Sequence, residues 1–246
     1  MQKSLLEKFI NKYHLGGATE QVLIESLPFN KLQVNFVTGD QHLAGKVTAI
    51  ISDGFPEGEY PIFNSSKLSS MLGLLDINPI PSVVTRTRDD IVTPVIIEFE
   101  EGTTKVSFPL ANRKNMPEIL DSVELPTDYA LRFKVDADFI NKFSRAVGIL
   151  SDIASFSIIS KKTGVFIVVG APASNTNKIT LQITPLSSVN EFSTIKFFAK
   201  YVRDILVANK ELSGIVTLYT EGILKLEFAD DTFASEYYLT EMTGPN

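Results

Sequence analysis

The stretch VTLYTEGILKLEFADDTFASEYYLTEM, residues 216–242, decides the fold class. Apolar and polar residues alternate along it, and the alternation breaks at Glu221-Gly222 and Asp230-Asp231. A period of two interrupted by short turn-forming pairs reads as antiparallel strands joined by tight hairpins. Asp230-Asp231 reads as one of those turns. As a metal pair it fails, because neighbours on a strand point to opposite faces.

Immediately upstream lies IKFFAKYVRDILVANK, residues 195–210, with a different period. Ile195, Phe198, Tyr201, Val202, Ile205 and Leu206 recur every three or four residues, while Lys196, Lys200, Arg203 and Lys210 fall on the other side. That pattern predicts an amphipathic helix over residues 193–210. Three more helices are expected. Residues 3–13 put Leu5, Leu6, Phe9, Ile10 and Tyr13 on one face and stop before Gly16-Gly17. Residues 64–76 offer Asn64, Ser65 or Ser66 as N-cap ahead of Leu68, Met71, Leu72 and Leu75. Residues 136–150 open on capping aspartates and bury Phe139, Ile140, Phe143, Val147 and Leu150.

Most of the remaining chain reads as strands, with turns at Glu101-Gly102 and Lys162-Thr163-Gly164. The order also repeats: the helix starts near 3 and 64 are followed by starts near 136 and 193, offset by 133 and 129 residues. The expectation is an α+β protein of two similar domains, each an antiparallel sheet system with two amphipathic helices. The first domain is placed at 1–110 and the second at 129–246. Between them, residues 111–128 carry Pro117 and Pro126 and read as a connector.

The bulk composition narrows the function classes. The chain has 246 residues, 44% hydrophobic and 21% charged, with no apolar run long enough for a bilayer and no signal-peptide pattern at its start. Without cysteine there is no disulfide framework, thiolate metal site or catalytic thiol, and the only histidines are His14 and His42. No Gly-rich dinucleotide fingerprint, G-x-S-x-G or H-E-x-x-H occurs, and GAPASNTNK at 170–178 lacks the second glycine of a phosphate loop. Neither an enzyme nor a cofactor or metal protein is expected.

Charge is unevenly distributed. The four helical segments carry +2, zero, zero and +3, so the remainder carries −11 of a net −6. A single basic helix face is ordinarily just a solvated face. Several in an otherwise acidic chain describe a positive strip suited to phosphates. The strip has neither the aromatics of single-strand binding nor the Asn, Gln and Arg mixture of base readout, so sequence-independent contact with a duplex is expected.

Two local stretches resemble a known family. Residues 216–242 resemble the closing hairpin and final YYL strand of the DNA sliding clamps of the proliferating-cell-nuclear-antigen type, and of the trimeric clamps of tailed bacteriophages. LPTDYALRFKVDADFINKFSRAV, residues 125–147, resembles the same family's linker exit, strand and helix. DQHLAGKV, residues 40–47, resembles the turn that walls its partner pocket. One departure is visible: only Met1 and Gln2 precede the first helix, where the family has a strand.

The resemblance implies a homotrimeric ring around double-stranded DNA that tethers a polymerase, with clamp loader and clients bound through short peptides and no membrane association. It would act in the cytoplasm, the host's if viral. It implies DNA-facing Lys3, Lys8, Lys12, Lys67, Lys142, Arg145, Lys196, Lys200, Arg203 and Lys210. It implies a partner groove at Leu43, Leu125, Pro126, Tyr129, Tyr238 and Thr240. Subunits would meet edge to edge at Lys105, Val106, Phe108 and Leu110 against Ile179, Leu181 and Ile183. Without the family, Leu43 and Leu125 read as core residues and Lys67 as a solvated lysine. A virion or assembly protein of duplicated β domains, or a monomeric DNA-binding processivity factor of this fold, remain the alternatives.

Overall fold

A computed structural model describes residues 3–51, 55–76, 79–88, 90–117, 123–170, 177–187, 189 and 192–242. Asp89, most of the 170–178 loop and connector residues 118–122 lie outside these. The chain divides into two compact units. One comprises Met1–Gly39, Gly45–Asp121 and Asp231–Ser235; the other comprises Asp40–Ala44, Ser122–Asp230 and Glu236–Asn246.

The first half of the chain runs α1 (Lys3–His14), β1 (Val22–Leu27), β2 (Lys31–Val37), β3 (Leu43–Ile50), β4 (Gly58–Ile62), α2 (Ser65–Leu72), β5 (Ile80–Arg88), β6 (Ile91–Glu101) and β7 (Thr104–Pro109). Its strands pair in the orders β4-β1-β2-β3 and β5-β6-β7. Alternation in sequence becomes alternation in burial: β2 and β3 bury every second residue, among them Leu32, Val34, Phe36 and Val47. α1 and α2 pack on one another. Asn64 caps α2, its side chain accepting from Lys67 N at 2.6 Å.

The second half runs β8 (Tyr129–Val135), α3 (Ala137–Ile149), β9 (Ser155–Lys161), β10 (Gly164–Val169), β11 (Ile179–Ile183), β12 (Ile195–Phe198), α4 (Ala199–Ala208), β13 (Gly214–Tyr219), β14 (Ile223–Ala229) and β15 (Phe233–Thr240). Its strands pair in the orders β11-β10-β9-β12 and β15-β14-β13-β8. Asp136 caps α3 by accepting from Phe139 N at 2.9 Å. Phe133, Phe139, Phe143 and Phe156 form an edge-to-face and stacked chain beneath that helix. At Gly214 a Cβ would come within 2.5 Å of the Phe228 ring, so only glycine lets β13 lie this close to β14.

The duplication is more regular than the sequence pattern indicated. α3 begins 134 residues after α1, and α4 begins 134 residues after α2. Both halves follow one order of elements, except that β8 precedes α3 and no described strand precedes α1.

One boundary differs from expectation in a way that matters for function. The fourth helix does not start at 193: Ile195–Phe198 form β12, which pairs antiparallel with β9 from Ile195↔Ile158 to Phe198↔Ser155. Phe197 explains the difference. It is fully buried with Ile195 and Ala199, a two-residue period that a helix would have pointed into solvent. Lys196 is therefore a strand residue and Lys210 lies beyond the helix end.

Candidate nucleic-acid interface and partner groove

The exposed face of α1 carries Ser4, Lys8 and Asn11, the one-turn neighbours left over once Leu6, Phe9, Ile10 and Tyr13 are buried. Lys12 does not join that face. It is fully buried, with its ammonium 5.1 Å from the centre of the Phe233 ring, so its long stem serves the core of the first unit. Lys3 is drawn inward as well, donating to Leu75 O at 2.5 Å and lying 3.5 Å from Glu7. α2 adds an exposed Lys67.

In the second unit Lys142 and Arg145 are exposed one turn apart on α3, and Lys142 bonds Asp138 at 2.7 Å. That hydrogen bond and its charge hold the Lys142 ammonium above the ordinary lysine range. On α4, Asp204 receives both Lys200 (2.8 Å) and Arg203 (2.9 Å). Lys196 is half-buried on β12, and Lys210 is exposed. Lys67, Arg145 and Lys210 make no ion pair among the described residues, which leaves their charge directed at solvent. The basic face is thus thinner than a count of lysines implies, and it is unequal between the units. Two exposed helix lysines serve the first; the second exposes Lys142, Arg145, Lys200 and Lys210.

The groove residues separate into two groups. Leu43 is fully buried, and Thr240 N donates to the neighbouring His42 carbonyl at 3.1 Å. Around this point the second unit assembles a polar and aromatic cluster that sequence reasoning missed. The His42 ring lies 4.7 Å from Phe198 and 3.2 Å from Thr240 Oγ1, while Tyr201 donates to Asp40 at 2.6 Å. The available signal was His42 itself, one of only two histidines, inside a stretch already singled out. Tyr238 is half-buried on β15, donates to Glu236, and has Lys225 5.6 Å from its ring centre. Burial and then the Glu236 carboxylate push its hydroxyl far above the usual tyrosine range. Leu125 and Pro126 are half-buried and Tyr129 is exposed. Tyr129 on β8 is separated from Tyr238 on β15 by β14 and β13, so the two tyrosines are not neighbours.

At the expected subunit edges, β7 and β11 are each the terminal strand of their order. Val106 and Phe108 are 4% and 1% exposed and belong to the first unit's core, so β7 offers a partner its backbone edge and the side chains of Lys105 and Ser107. Lys105 is already held by Glu98 (2.8 Å) and Glu100 (2.9 Å). Leu110, Ile179 and Leu181 are half-buried and Ile183 is buried.

A Ser, His and Glu meet at the N-terminus of α2, and their geometry is that of a cap. His14 Nε2 lies 3.1 Å from Glu20 Oε1 and 2.9 Å from Ser66 Oγ. Glu20 Oε2 accepts from Ser66 N at 2.9 Å, and Ser66 Oγ donates to the same carboxylate. Burial pushes the Glu20 carboxyl up, but the hydrogen bonds from Ser66 and His14 outweigh it and hold it below its ordinary value. A carboxyl depressed by folding contributes stability above its unfolded pKa and loses it as pH falls through the folded one. Glu20→Gln is therefore expected to flatten the acid limb of a melting-temperature profile below about pH 4.5. The Glu20 side chain is 38% exposed, so solvent screening keeps the neutral-pH cost at or below about 1 kcal/mol. An unchanged acid limb would remove Glu20 from the tie between His14 at the end of α1 and Ser66 in α2.

Among the described residues no group of three or more His, Cys, Asp or Glu could hold a metal ion, and no helix is long and apolar enough to cross a membrane. No protein-family model matches the sequence, and no curated protein does. Solved structures do. The proliferating cellular nuclear antigen of Entamoeba histolytica superposes with a TM-score of 0.69 at 17% identity, over 98% of this chain and 96% of that one. A. fulgidus PCNA, in a structure with the C-terminal region of FEN-1, superposes with a TM-score of 0.73 at 14% identity, over 100% and 98%. Along its whole length, the chain has the fold of the proliferating-cell-nuclear-antigen sliding clamps.

Proposed function

We propose that the protein is a non-catalytic DNA sliding clamp, closed as a homotrimer around duplex DNA, that tethers a polymerase and other clients for processive synthesis. The observation that carries this reading is end-to-end coverage of the clamp fold at a TM-score of 0.73. In support, the helices expose cations while the rest of the chain is strongly acidic. Two of the strand orders end on β7 and β11, which pair head to tail between neighbours and remove both edges from solvent. The helix pairs turn toward the phosphates, and the grip stays mobile because three of their cations, Lys142, Lys200 and Arg203, are shared with intrachain carboxylates. Clients insert apolar anchors beside His42, Leu43, Tyr238 and Thr240. The trimer, the loader and a bacteriophage setting belong to this proposal.

Topological tethering has a signature that phosphate binding lacks. Loaded onto nicked circular DNA, the protein is expected to stay bound at high salt and to leave within minutes once the circle is linearised. Binding through phosphates alone disappears from both forms as salt rises, because counterion release makes it steeply salt-dependent. Equal loss from circle and linear form at about 0.5 M salt would dismiss the ring.

A further inference from the structure

The internal duplication supplies a control for every strand, and one strand fails it. β13 is flanked on one side by β14 and on the other by β8, which lies antiparallel from Gly214↔Val135 to Tyr219↔Tyr129. Its counterpart β5 pairs with β6 on one side, and among the described residues no strand pairs with the other. The consequence shows in burial. Val216, Thr217 and Leu218 of β13 are 3%, 5% and 0% exposed, whereas no residue of β5 is buried. Register makes the comparison residue by residue. Val216 sits opposite Leu226, and Val83 sits opposite Ile97, itself 2% exposed. Val83 thus faces the first unit's core yet stays half-exposed at an open side. Ile80 (71%) and Val84 (40%) are exposed on the same strand.

We propose that the open edge of β5 is a docking edge for an extended segment of a partner protein, added antiparallel as β8 is added to β13. Backbone hydrogen bonds supply the affinity, since an edge strand presents its alternate N–H and C=O groups ready to pair. Side chains supply the selectivity. Alternate apolar residues of the incoming segment cover Val83 toward the core, as Leu131 and Phe133 of β8 lie beside β13. Its outward residues are acidic, because β5 ends in Thr85-Arg86-Thr87-Arg88 with both arginines exposed. β8 itself carries Arg132 and Lys134 at its outward positions, opposite Thr217 and Ile215, and so has the wrong charge for β5. The same arginines argue against a second copy as occupant, since two β5 strands would bring like charges to one edge. The inference stands apart from the DNA reading, because it rests on strand edges and on none of the basic helix faces.

The test uses the full-length protein and two synthetic peptides. One has the β8 sequence of residues 129–135; the other carries Arg132→Glu and Lys134→Glu in that sequence. Fluorescence anisotropy is expected to show the acidic peptide binding roughly fivefold or more tightly than the native one. Hydrogen exchange is expected to slow at the amides of residues 82–88. Arg86→Glu, an exposed change that leaves the fold intact, is expected to reverse the preference. Three results would overturn the proposal: equal affinity for both peptides, protection at β13 with none at β5, or no binding by either. Protection of β5 that rises with protein concentration in the absence of peptide would overturn it too, by giving the edge to a second copy.

Discussion

Replacing Lys67 and Arg145 together by glutamate is expected to lower affinity for duplex DNA at low salt by on the order of 10- to 100-fold. The slope of log affinity against log salt should become shallower by about 2 per chain. These two residues are chosen because neither makes an ion pair among the described residues. Their charges are spent on solvent rather than on a neighbouring carboxylate, as those of Lys142, Lys200 and Arg203 are. Both reversals are also harmless to the fold. Lys67 lies in the first turn of α2, where a carboxylate suits the helix macrodipole. Glutamate at 145 would sit one turn from Lys142, where it gains an attractive neighbour. Far-UV circular dichroism, melting temperature and solution mass should therefore match the parent. A double variant that binds DNA with unchanged affinity and salt slope would reduce these helix faces to ordinary solvated surface.

The same residues show what the amino-acid pattern could and could not reveal. Helix starts at Asn64 and Asp136 were legible because caps act locally, through hydrogen bonds to Lys67 N and Phe139 N. The β15 end of the chain was legible because alternation survives wherever one sheet face is buried. The strand Ile195–Phe198 was not, because four residues of apolar character fit a helix stripe almost as well as a strand, and only Phe197 on the wrong side dissented. Lys12 defeated the reading for a different reason. Its burial depends on Phe233, more than two hundred positions away in the chain, and no local pattern records that contact. The cations of α3 and α4 were found, but their partial neutralisation by Asp138 and Asp204 follows from rotamers rather than from spacing alone. The open edge of β5 lay half in view. The alternation of β5 was legible, while the half-exposure of Val83 appears only when β5 is set beside β13.

The largest expected effect on stability lies in the second unit's core. Phe143→Ala should cost about 3–5 kcal/mol, a large share of the roughly 5–15 kcal/mol that holds a domain together. Phe143 is fully buried on the inner face of α3, 5.2 Å edge-to-face from Phe156 and 6.0 Å stacked on Phe139. Truncation removes both aromatic contacts and leaves a hole walled by Phe133, Ile158, Val202 and Leu226, side chains anchored on three strands and a second helix. Such walls cannot all move inward together, so the void persists and the cost falls at the upper end for its size. Alanine is itself a good helix former, so propensity cannot account for the loss. The chain has no tryptophan, and urea unfolding followed by far-UV circular dichroism reads the change. The transition of the second unit should move to lower urea, and amides of α3, β9 and β10 should lose exchange protection first. Phe143→Leu, which keeps most of the volume, should cost well under half as much. If alanine and leucine cost the same, or if alanine costs under about 1 kcal/mol, the aromatic chain is not the keystone of this unit, and the stability of α3 must come from its cap and its packing on α4.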